Sequence, residues 1–452
     1  MIKSKIFQQF LYWCIWLIIP FLFEVFKNLI GVSLLLLKYL ANKSNKMSKL
    51  DFFPPITIII PVYNSAKTLN MCLKSILNQN YPKHLIEILL IDNGSKDNSY
   101  NIFLDFHNKH PNLNIKWYCS SQGKSKALNK GIFLSSGKYI INIDSDGWLD
   151  RQALFEIVRK FESDDKISCM TGVVLIDPQL IENTKNTFIR ILRICELFEY
   201  TEAFLVGRNH QSMTNSMYTL AGAFSCFKKN VISKTQMYSF ETVGEDTHMT
   251  FQIRNSIEGN ISICENAFFY VDPIENFNKL YTQRQRWQRG QLEIASLFPH
   301  LHIKNLIHIF KSFPLRILIH DHTLALPKLV WFFGMIYLYF INYPLRLLIG
   351  ANILMYLLYV IVSFLNLFTA LIYLKNQKSM KKYLLTKWYI CFILPFYRFI
   401  VYWIRVAGII NSLSTSSKWH TSTLTEEFNL ILNNIKIKFN FLKKLERMIN
   451  NE

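Results

Sequence analysis

Long apolar runs lie toward both ends of the 452-residue chain, and the middle alternates between short apolar stretches and mixed helical patterns. The first run extends from Phe10 to Leu40, and three more cover about Leu324–Ile341, Leu345–Leu374 and Tyr389–Ile410. About 20 apolar residues suffice for a helix to cross a bilayer. The pattern therefore predicts membrane segments on both sides of a central globular domain.

The number of membrane crossings stays open. The N-terminal run is longer than one untilted span and barely long enough for two, so it predicts two short passes or one pass and an interfacial helix. A secretory signal peptide is disfavoured, because the run is too long and no small-residue cleavage site follows it. The last run contains Pro395, Arg398 and Arg405. It fits either a span or a helix lying partly in the interface, with its arginines snorkelling.

Lysines set the expected orientation. The loop between the last two runs is strongly basic and holds Lys375, Lys378, Lys381, Lys382 and Lys387. The tight turn at residues 342–344 has only one basic residue near it, Arg346. The positive-inside rule places the lysine loop in the cytoplasm and the turn outside. We therefore expect a multi-pass protein of the cell membrane whose central domain is cytoplasmic.

The central block, from about residue 51 to 290, predicts an α/β domain. Ile56–Val62 is apolar and β-branched, which is typical of a parallel strand buried on both faces. Ser65 and Asp150 are expected caps of the helices that follow them. Strands and helices then alternate, with strands at Ile86–Ile91, Asn114–Tyr118 and Tyr139–Ile143 and helices that include Lys124–Leu134. Such alternation implies right-handed crossovers and an open sheet, with ligands bound outside the carboxyl ends of the strands.

These patterns divide the chain into five parts. They are N-terminal membrane segments (1–50), the α/β domain (51–290), interfacial helices (291–323), C-terminal transmembrane helices (324–411) and a basic cytosolic tail (412–452).

Composition and charge exclude several classes of protein. Half of the residues are apolar and 18% are charged, which excludes intrinsic disorder. The net charge of +20 is large, and juxtamembrane lysines facing anionic lipid account for much of it. No zinc-ligand spacing, arginine-rich arm or helix-turn-helix signal is present, so we expect no nucleic-acid partner. The eight cysteines are scattered singly, as expected for reduced, packed residues.

Polar side chains follow three of the predicted strands. Tyr63 and Asn64 follow the first strand, Asp92 the second, and Asp144 and Asp146 the fourth. The two last carboxylates, two residues apart on an extended segment, are expected on one face. Two hard oxygen donors at one point suit Mg²⁺ or Mn²⁺, which typically completes its shell with substrate phosphates. The alternative is a solvated Asp-Ser-Asp-Gly turn.

Three later segments contain further candidate functional residues. Lys124 opens a helix whose free backbone N–H groups attract phosphate, although a basic helix surface has the same composition. Asp246 lies at an expected helix start, where a carboxylate is either a cap or a general base. In the string from Gln283 to Trp287, an arginine can hold a diphosphate and the tryptophan can stack on a sugar ring. The alternative for that string is an interfacial basic-aromatic helix.

Taken in order, these strings resemble the family 2 glycosyltransferases. The resemblance is to the membrane-embedded processive branch, which includes the cellulose, hyaluronan and poly-N-acetylglucosamine synthases. A smaller subgroup found beside an exosortase-type membrane protease in Gram-positive bacteria has a similar layout. The strings are Pro61-Val62-Tyr63-Asn64, residues 92–97, residues 123–129, Asp144-Ser145-Asp146, Ala221-Gly222-Ala223-Phe224, Glu245-Asp246 and the Gln-x-x-Arg-Trp motif at 283–287.

The resemblance implies a GT-A fold, which is a Rossmann-like nucleotide-diphospho-sugar transferase domain. It implies inverting transfer from a UDP-sugar, carrying N-acetylglucosamine or another hexose, to a growing polysaccharide, with export of the product. Asp246 would take the proton from the acceptor hydroxyl, and Asp146 would bind the metal. The implied donor-site residues are Tyr63, Asn64, Asp92 and Asp144 at the nucleoside, Lys124 at the phosphates, and Gln283, Arg286 and Trp287 at the diphosphate and the acceptor end.

Departures from the family pattern leave the sugar and the acceptor open. Ser65-Ala66 replaces a usual acidic residue, Gly244 a common threonine, and His248 an aliphatic residue. Two alternatives to a processive synthase stay open: a single-step transferase acting on a membrane lipid, and a catalytically silent membrane scaffold. The expected partners are a nucleotide-sugar donor, a polysaccharide or lipid acceptor and membrane lipids. A small membrane partner subunit is left open.

Overall fold

The computed structural model describes residues 25–42, 50, 52–257, 259–297, 325–414 and 423–429. About half of the N-terminal apolar run, most of the predicted interfacial segment and most of the basic tail therefore lie outside the described residues. The strands are β1 (Ile56–Val62), β2 (Ile86–Asp92), β3 (Asn114–Cys119), β4 (Tyr139–Ile143), β5 (Gly147–Leu149), β6 (Ile167–Ile176), β7 (Phe224–Lys228) and β8 (Asn260–Val271).

Helices flank this sheet and form the C-terminal part of the molecule. They are α1 (Lys27–Asn42), α2 (Leu69–Leu77), α3 (Ser99–Lys109), α4 (Lys124–Leu134), α5 (Ala153–Ser163), α6 (Pro178–Glu182), α7 (Thr187–Tyr200), α8 (Arg208–Met213), α9 (Lys229–Ile232), α10 (Glu245–Ser256), α11 (Phe277–Leu297), α12 (Ala325–Phe340), α13 (Leu345–Tyr373), α14 (Lys378–Thr386) and α15 (Ile390–Ser414). A π-helical segment, Thr201–Gly207, joins α7 to α8.

The strands form one mixed sheet of eight, in the order β3-β2-β1-β4-β7-β6-β8-β5. Strands β1 to β4 pair in parallel, which confirms the alternation seen in the sequence. Beyond β4 the sheet changes character, because β7 is antiparallel to both β4 and β6 and β5 is antiparallel to β8. The sequence patterns did not predict this second half.

The parallel half of the sheet lies in the hydrophobic core. Ile58, Ile59 and Ile60 of β1 are fully buried, and burying each such side chain stabilises the fold by roughly 1.5–3 kcal/mol. Gly131 lets α4 approach β1 closely, since a Cβ atom at that position would lie 2.4 Å from Cγ2 of Ile59. This packing fixes α4, whose first residue is Lys124, against the end of the sheet.

The two predicted helix caps are wrong. Ser65 Oγ lies 2.7 Å from Ser145 Oγ, and α2 begins after Thr68 without a side-chain cap. The Asp150 carboxylate accepts a hydrogen bond from the Gln152 backbone N–H at 3.2 Å, before the first turn of α5. Ser65 thus ties the end of β1 to the turn after β4 instead of capping a helix.

Two described stretches are long and apolar enough to cross a membrane, Leu345–Asn376 and Ile390–Ser412. Lys328–Phe340 is apolar but shorter. Helix α15 packs closely on α11, because a Cβ atom on Gly408 would lie 3.3 Å from the Gln285 Cα. Helix α11 is continuous through residue 290, so the predicted domain boundary there is not a break in the backbone.

Candidate active site

A cleft of about 3270 Å³ opens at the carboxyl ends of β1, β2, β4 and β8 and continues between α12, α13 and α15. Nine of the ten residues predicted from the sequence line it. They are Tyr63, Asn64, Lys124, Asp144, Asp146, Asp246, Gln283, Arg286 and Trp287. Residues from distant parts of the chain therefore share one cavity.

Lys124 joins the acidic groups on the two sides of the cleft. Its Nζ lies 2.5 Å from Asp144 Oδ1 and 3.9 Å from Glu245 Oε1. Burial opposes the charge of the ammonium, but Asp144 and Glu245 outweigh it and raise the pKa of Lys124 above its ordinary value. The fold thus holds a permanent cation between β4 and the start of α10, where an anionic ligand would meet it.

Asp144 and Asp146 lie in a tight turn between β4 and β5 rather than on an extended segment. Thr68 supports this turn by donating a hydrogen bond to the Ser145 carbonyl at 2.9 Å. The Asp146 side chain reaches the solvent in the cleft, yet protein encloses it on most sides. This enclosure, followed by the nearby Asp144 carboxylate, raises the pKa of Asp146 to about 6.

Asp246 occupies the first turn of α10. Its Oδ1 accepts a hydrogen bond from the Thr247 backbone N–H at 2.7 Å. Its Oδ2 faces Gly222, where a Cβ atom would lie only 3.3 Å away. Burial raises the pKa of Asp246, and burial also raises the pKa of the adjacent Glu245 to about 7. A carboxylate with raised proton affinity in a cleft is suited to general-base chemistry.

The donor set fits a hard divalent cation that shares its coordination with a ligand. Burial and the neighbouring Asp144 carboxylate both disfavour the charged form of Asp146, and a bound cation would offset them. Among the described residues, no group of three or more His, Cys, Asp or Glu side chains could hold a metal ion. A cation at Asp146 would therefore need oxygen atoms from a bound molecule, as Mg²⁺ and Mn²⁺ do when they bind phosphates.

The loops after β1 and β2 hold each other in place. Asn64 adopts a left-handed backbone, with φ of +50°, and its Oδ1 accepts a hydrogen bond from the Lys96 N–H at 2.9 Å. The Asp92 carboxylate accepts one from the Ser95 N–H at 3.0 Å. Asp92 is the one predicted residue that does not line the cleft, whereas its neighbour Asn93 does. The expected contact of Asp92 with the nucleoside of the donor stays a prediction.

The motif on α11 divides between two faces of the helix. Gln283, Arg286 and Trp287 are three and four residues apart and line the cleft, as helical periodicity requires. Arg284 is buried on another face, with its Nη2 2.5 Å from Glu199 Oε2. The motif is therefore part of the cleft wall rather than only an interfacial basic-aromatic helix.

Several residues that line the cleft were not predicted from the sequence. Asp272 follows β8 directly, so the rule that pointed to Asp144 could have found it once that strand was recognised. Asn93 fixes the start of α4 by accepting a hydrogen bond from the Gly123 N–H at 2.5 Å. Glu202 and Arg208 line the cleft from the π-helical segment and α8, and no sequence pattern pointed to either.

Comparison with known proteins finds relatives for the part of the chain that forms one side of this site. Residues 57–234 match the model of glycosyl transferase family 2. Within this range the chain is similar to the family 2 glycosyltransferases. That range contains β1 to β7 and the predicted nucleotide side of the cleft, whereas Asp246 and the α11 motif lie beyond it.

Two curated relatives carry the same description. The poly-β-1,6-N-acetyl-D-glucosamine synthase of Staphylococcus epidermidis is 27% identical over 239 residues, which are 53% of this chain and 55% of that enzyme. The synthase of that name from Staphylococcus aureus is 24% identical over 293 residues, 64% of this chain and 66% of that enzyme. The chain thus matches little more than half the length of the first of these relatives.

A solved structure supports the fold. The mannosyltransferase PcManGT from Pyrobaculum calidifontis, determined with GDP-Man and Mn²⁺, superposes with a TM-score of 0.57 at 14% identity. The match covers 80% of this chain and 99% of that one. The described domain thus has the α/β GT-A fold that the resemblance implied.

Proposed function

We propose that this protein is an inverting hexosyltransferase that moves a sugar from a UDP-sugar to a growing polysaccharide. One observation carries the proposal: the half-buried Asp246 carboxylate shares a cleft with the Asp144–Asp146 turn, and Lys124 lies between the two sides. Such a cleft offers a place for a departing diphosphate and, opposite it, a base for an incoming hydroxyl. The names of the two staphylococcal relatives support N-acetylglucosamine as the sugar.

The donor would bind with its nucleoside against Tyr63 and Asn64 and its diphosphate near Lys124. Asp146 would hold a divalent cation, Mg²⁺ or Mn²⁺, together with diphosphate oxygens. Such a cation, when bound, neutralises the charge that develops on the leaving diphosphate. Arg286 on α11 faces the same cavity and would hold the diphosphate through its planar fork.

Asp246 would act on the acceptor. Its carboxylate would take the proton of the acceptor hydroxyl while the hydroxyl oxygen forms a bond to the anomeric carbon. The bond from that carbon to the diphosphate oxygen breaks on the opposite side, which inverts the configuration. Gly222 leaves room beside Oδ2 of Asp246, and Trp287 would stack on the acceptor sugar. Asp144 would stay beside the nucleoside, held by Lys124 at 2.5 Å.

The same cleft continues between α12, α13 and α15, which supports a membrane-bound enzyme with an exit for its product. Aromatic residues line this part, among them Trp331, Tyr356 and Phe399. We propose that α13 crosses the cell membrane and that the catalytic domain lies on the cytoplasmic side. A single addition to a membrane lipid would use the same catalytic residues and is the second candidate.

Incubation of membranes containing the full-length protein with a panel of labelled nucleotide sugars tests the function. We expect one UDP-sugar to be incorporated, and only when a divalent cation is present. A ladder or a high polymer supports the processive reaction, whereas a single lipid-linked species supports the second candidate. Failure to incorporate any nucleotide sugar, from a sample that still binds UDP, would favour a silent scaffold and contradict the proposal.

A further inference from the structure

We infer that Arg284 is a positioning residue that holds Gln283 and Trp287 at the cleft and links both to helix α15. This inference rests on the proposed function, because it assigns Gln283 and Trp287 to substrate binding. It concerns a position that the Gln-x-x-Arg-Trp motif leaves unspecified. Arg284 itself does not line the cleft and would act only through its neighbours.

Arg284 contacts both motif residues directly. Its Nη1 donates a hydrogen bond to Gln283 Oε1 at 2.6 Å. The guanidinium carbon lies 4.4 Å from the centre of the Trp287 ring, within the range of a cation–π contact. The Arg284 side chain has no solvent exposure, so neither contact competes with water. One guanidinium therefore restricts the rotamers of two side chains that face the cleft.

A buried acidic network anchors the guanidinium from the other side. Arg284 Nη2 lies 2.5 Å from Glu199 Oε2 and 3.9 Å from Glu196 Oε1. Glu199 Oε2 also accepts a hydrogen bond from the Tyr397 hydroxyl of α15 at 2.7 Å. Glu196 accepts one from the Ile274 N–H at 3.0 Å, two residues after Asp272. The network thus joins α11, α7 and α15 at the edge of the cleft.

Stability alone does not account for a charge at this position. A buried ion pair is often no better for stability than apolar residues of the same volume, because desolvation of the charges offsets their attraction. The network is also incomplete, since the buried Nε–H of Arg284 has no hydrogen-bond partner among the described residues. The planar guanidinium makes three contacts in fixed directions. It donates hydrogen bonds to Gln283 and Glu199, and its face covers the ring of Trp287. A lysine ammonium cannot do all three.

The test compares Arg284→Lys with a matched control in the full-length protein. Arg159→Lys is the control, because Arg159 also pairs with a glutamate, Glu156, and lies over an aromatic ring, Phe155, at 5.5 Å. It lies on α5, and no residue of that contact lines the cleft. With the sugar donor that the wild type uses, we expect Arg284→Lys to lower kcat/KM for the acceptor about tenfold. UDP affinity and the unfolding temperature should match those of Arg159→Lys.

A double-mutant cycle with Trp287→Phe separates positioning from general damage. If Arg284 acts through Trp287, Arg284→Lys will cost much less in the Trp287→Phe background than in the wild type. Losses that add up in the double mutant, or an equal loss in Arg159→Lys, would overturn the inference while leaving the proposed transfer reaction intact.

Fluorescence of Trp287 gives a readout that needs no substrate. The difference between spectra recorded with and without Trp287→Phe isolates the emission of this residue. We expect Arg284→Lys to increase acrylamide quenching of that emission about twofold, because the indole loses the guanidinium that covers it. Unchanged quenching would overturn the inference even if no sugar transfer were found, so it fails separately from the proposed function.

Discussion

At the scale of single residues, the site depends on carboxylates whose proton affinity the fold raises. Burial raises the pKa of Asp246, and burial with Asp144 raises the pKa of Asp146 to about 6. An ordinary aspartate has a pKa of about 4. Both residues would work only when deprotonated, Asp246 as the base and Asp146 as the cation ligand. Loss of either charge as the pH falls should therefore stop transfer.

This leads to a prediction about pH and metal concentration. Protons and the divalent cation compete for Asp146, so more cation should shift the acid limb of the transfer rate to lower pH. By linkage, a tenfold rise in Mn²⁺ moves the midpoint by at most about one pH unit. The measurement is the transfer rate against pH at two Mn²⁺ concentrations. An acid limb that does not move would contradict the placement of the cation at Asp146.

Gly222 provides a steric prediction. An alanine there would place its Cβ 3.3 Å from Asp246 Oδ2, closer than ordinary contacts, so the carboxylate would have to shift. A misplacement of this kind costs about ten- to a hundredfold in rate. Gly350→Ala is the control, because a Cβ there meets no atom of the described part of the chain within 4 Å. Equal transfer rates and unfolding temperatures in both variants would mean that transfer does not require the Asp246 carboxylate to lie where it does beside Gly222.

At the scale of elements, helical periodicity made the α11 motif readable from the sequence. Residues 283, 286 and 287 had to share a face, and the structure places all three on the cleft. The sequence predicted that Asp144 and Asp146 lie on an extended segment, and this was wrong. Both still line the cleft, because the turn after β4 also directs their side chains into it. The burial of Arg284 was not readable, since its partner Glu199 is 85 residues away in sequence.

Orientation of the C-terminal helices is a prediction at this scale. The turn between α12 and α13 is expected outside the cell and the basic segment around α14 inside. A Tyr343→Cys variant should react with a membrane-impermeant thiol reagent in intact cells. The native Cys119, which is exposed on the catalytic domain, serves as the internal control and should react only after permeabilisation. Protection of residue 343 until permeabilisation would contradict this orientation.

Helix α15 corresponds to the last apolar run, for which the sequence predicted either a membrane span or an interfacial helix. Lys387, just before α15, pairs with Glu182 at 2.8 Å, and Asn411 near its end donates to Glu427 at 2.8 Å. In between, Tyr397 contacts Glu199. Polar contacts to other parts of the chain thus recur from one end of α15 to the other, and both the span and the interfacial helix stay predictions.

At the scale of the whole molecule, local patterns predicted the parallel half of the sheet well. Strands buried on both faces and helices of regular spacing leave a clear periodicity. The second half was not predicted, because β7 inserts between β4 and β6 in the sheet although it follows β6 in the chain. Such long-range pairing depends on tertiary packing, and a single sequence does not encode it as a local pattern. Asp272 and Arg208 were missed for the same reason.

Asp246 is the proposed base of a sugar-transfer reaction in this cleft. The most direct measurement is sugar incorporation by Asp246→Asn beside the wild type, with UDP affinity measured on the same samples. Glu241→Gln is the control, an exposed carboxylate shortly before α10. We expect wild-type transfer in Glu241→Gln and loss of more than about a thousandfold in Asp246→Asn, with UDP still bound. Turnover by Asp246→Asn close to that of the wild type would contradict this role.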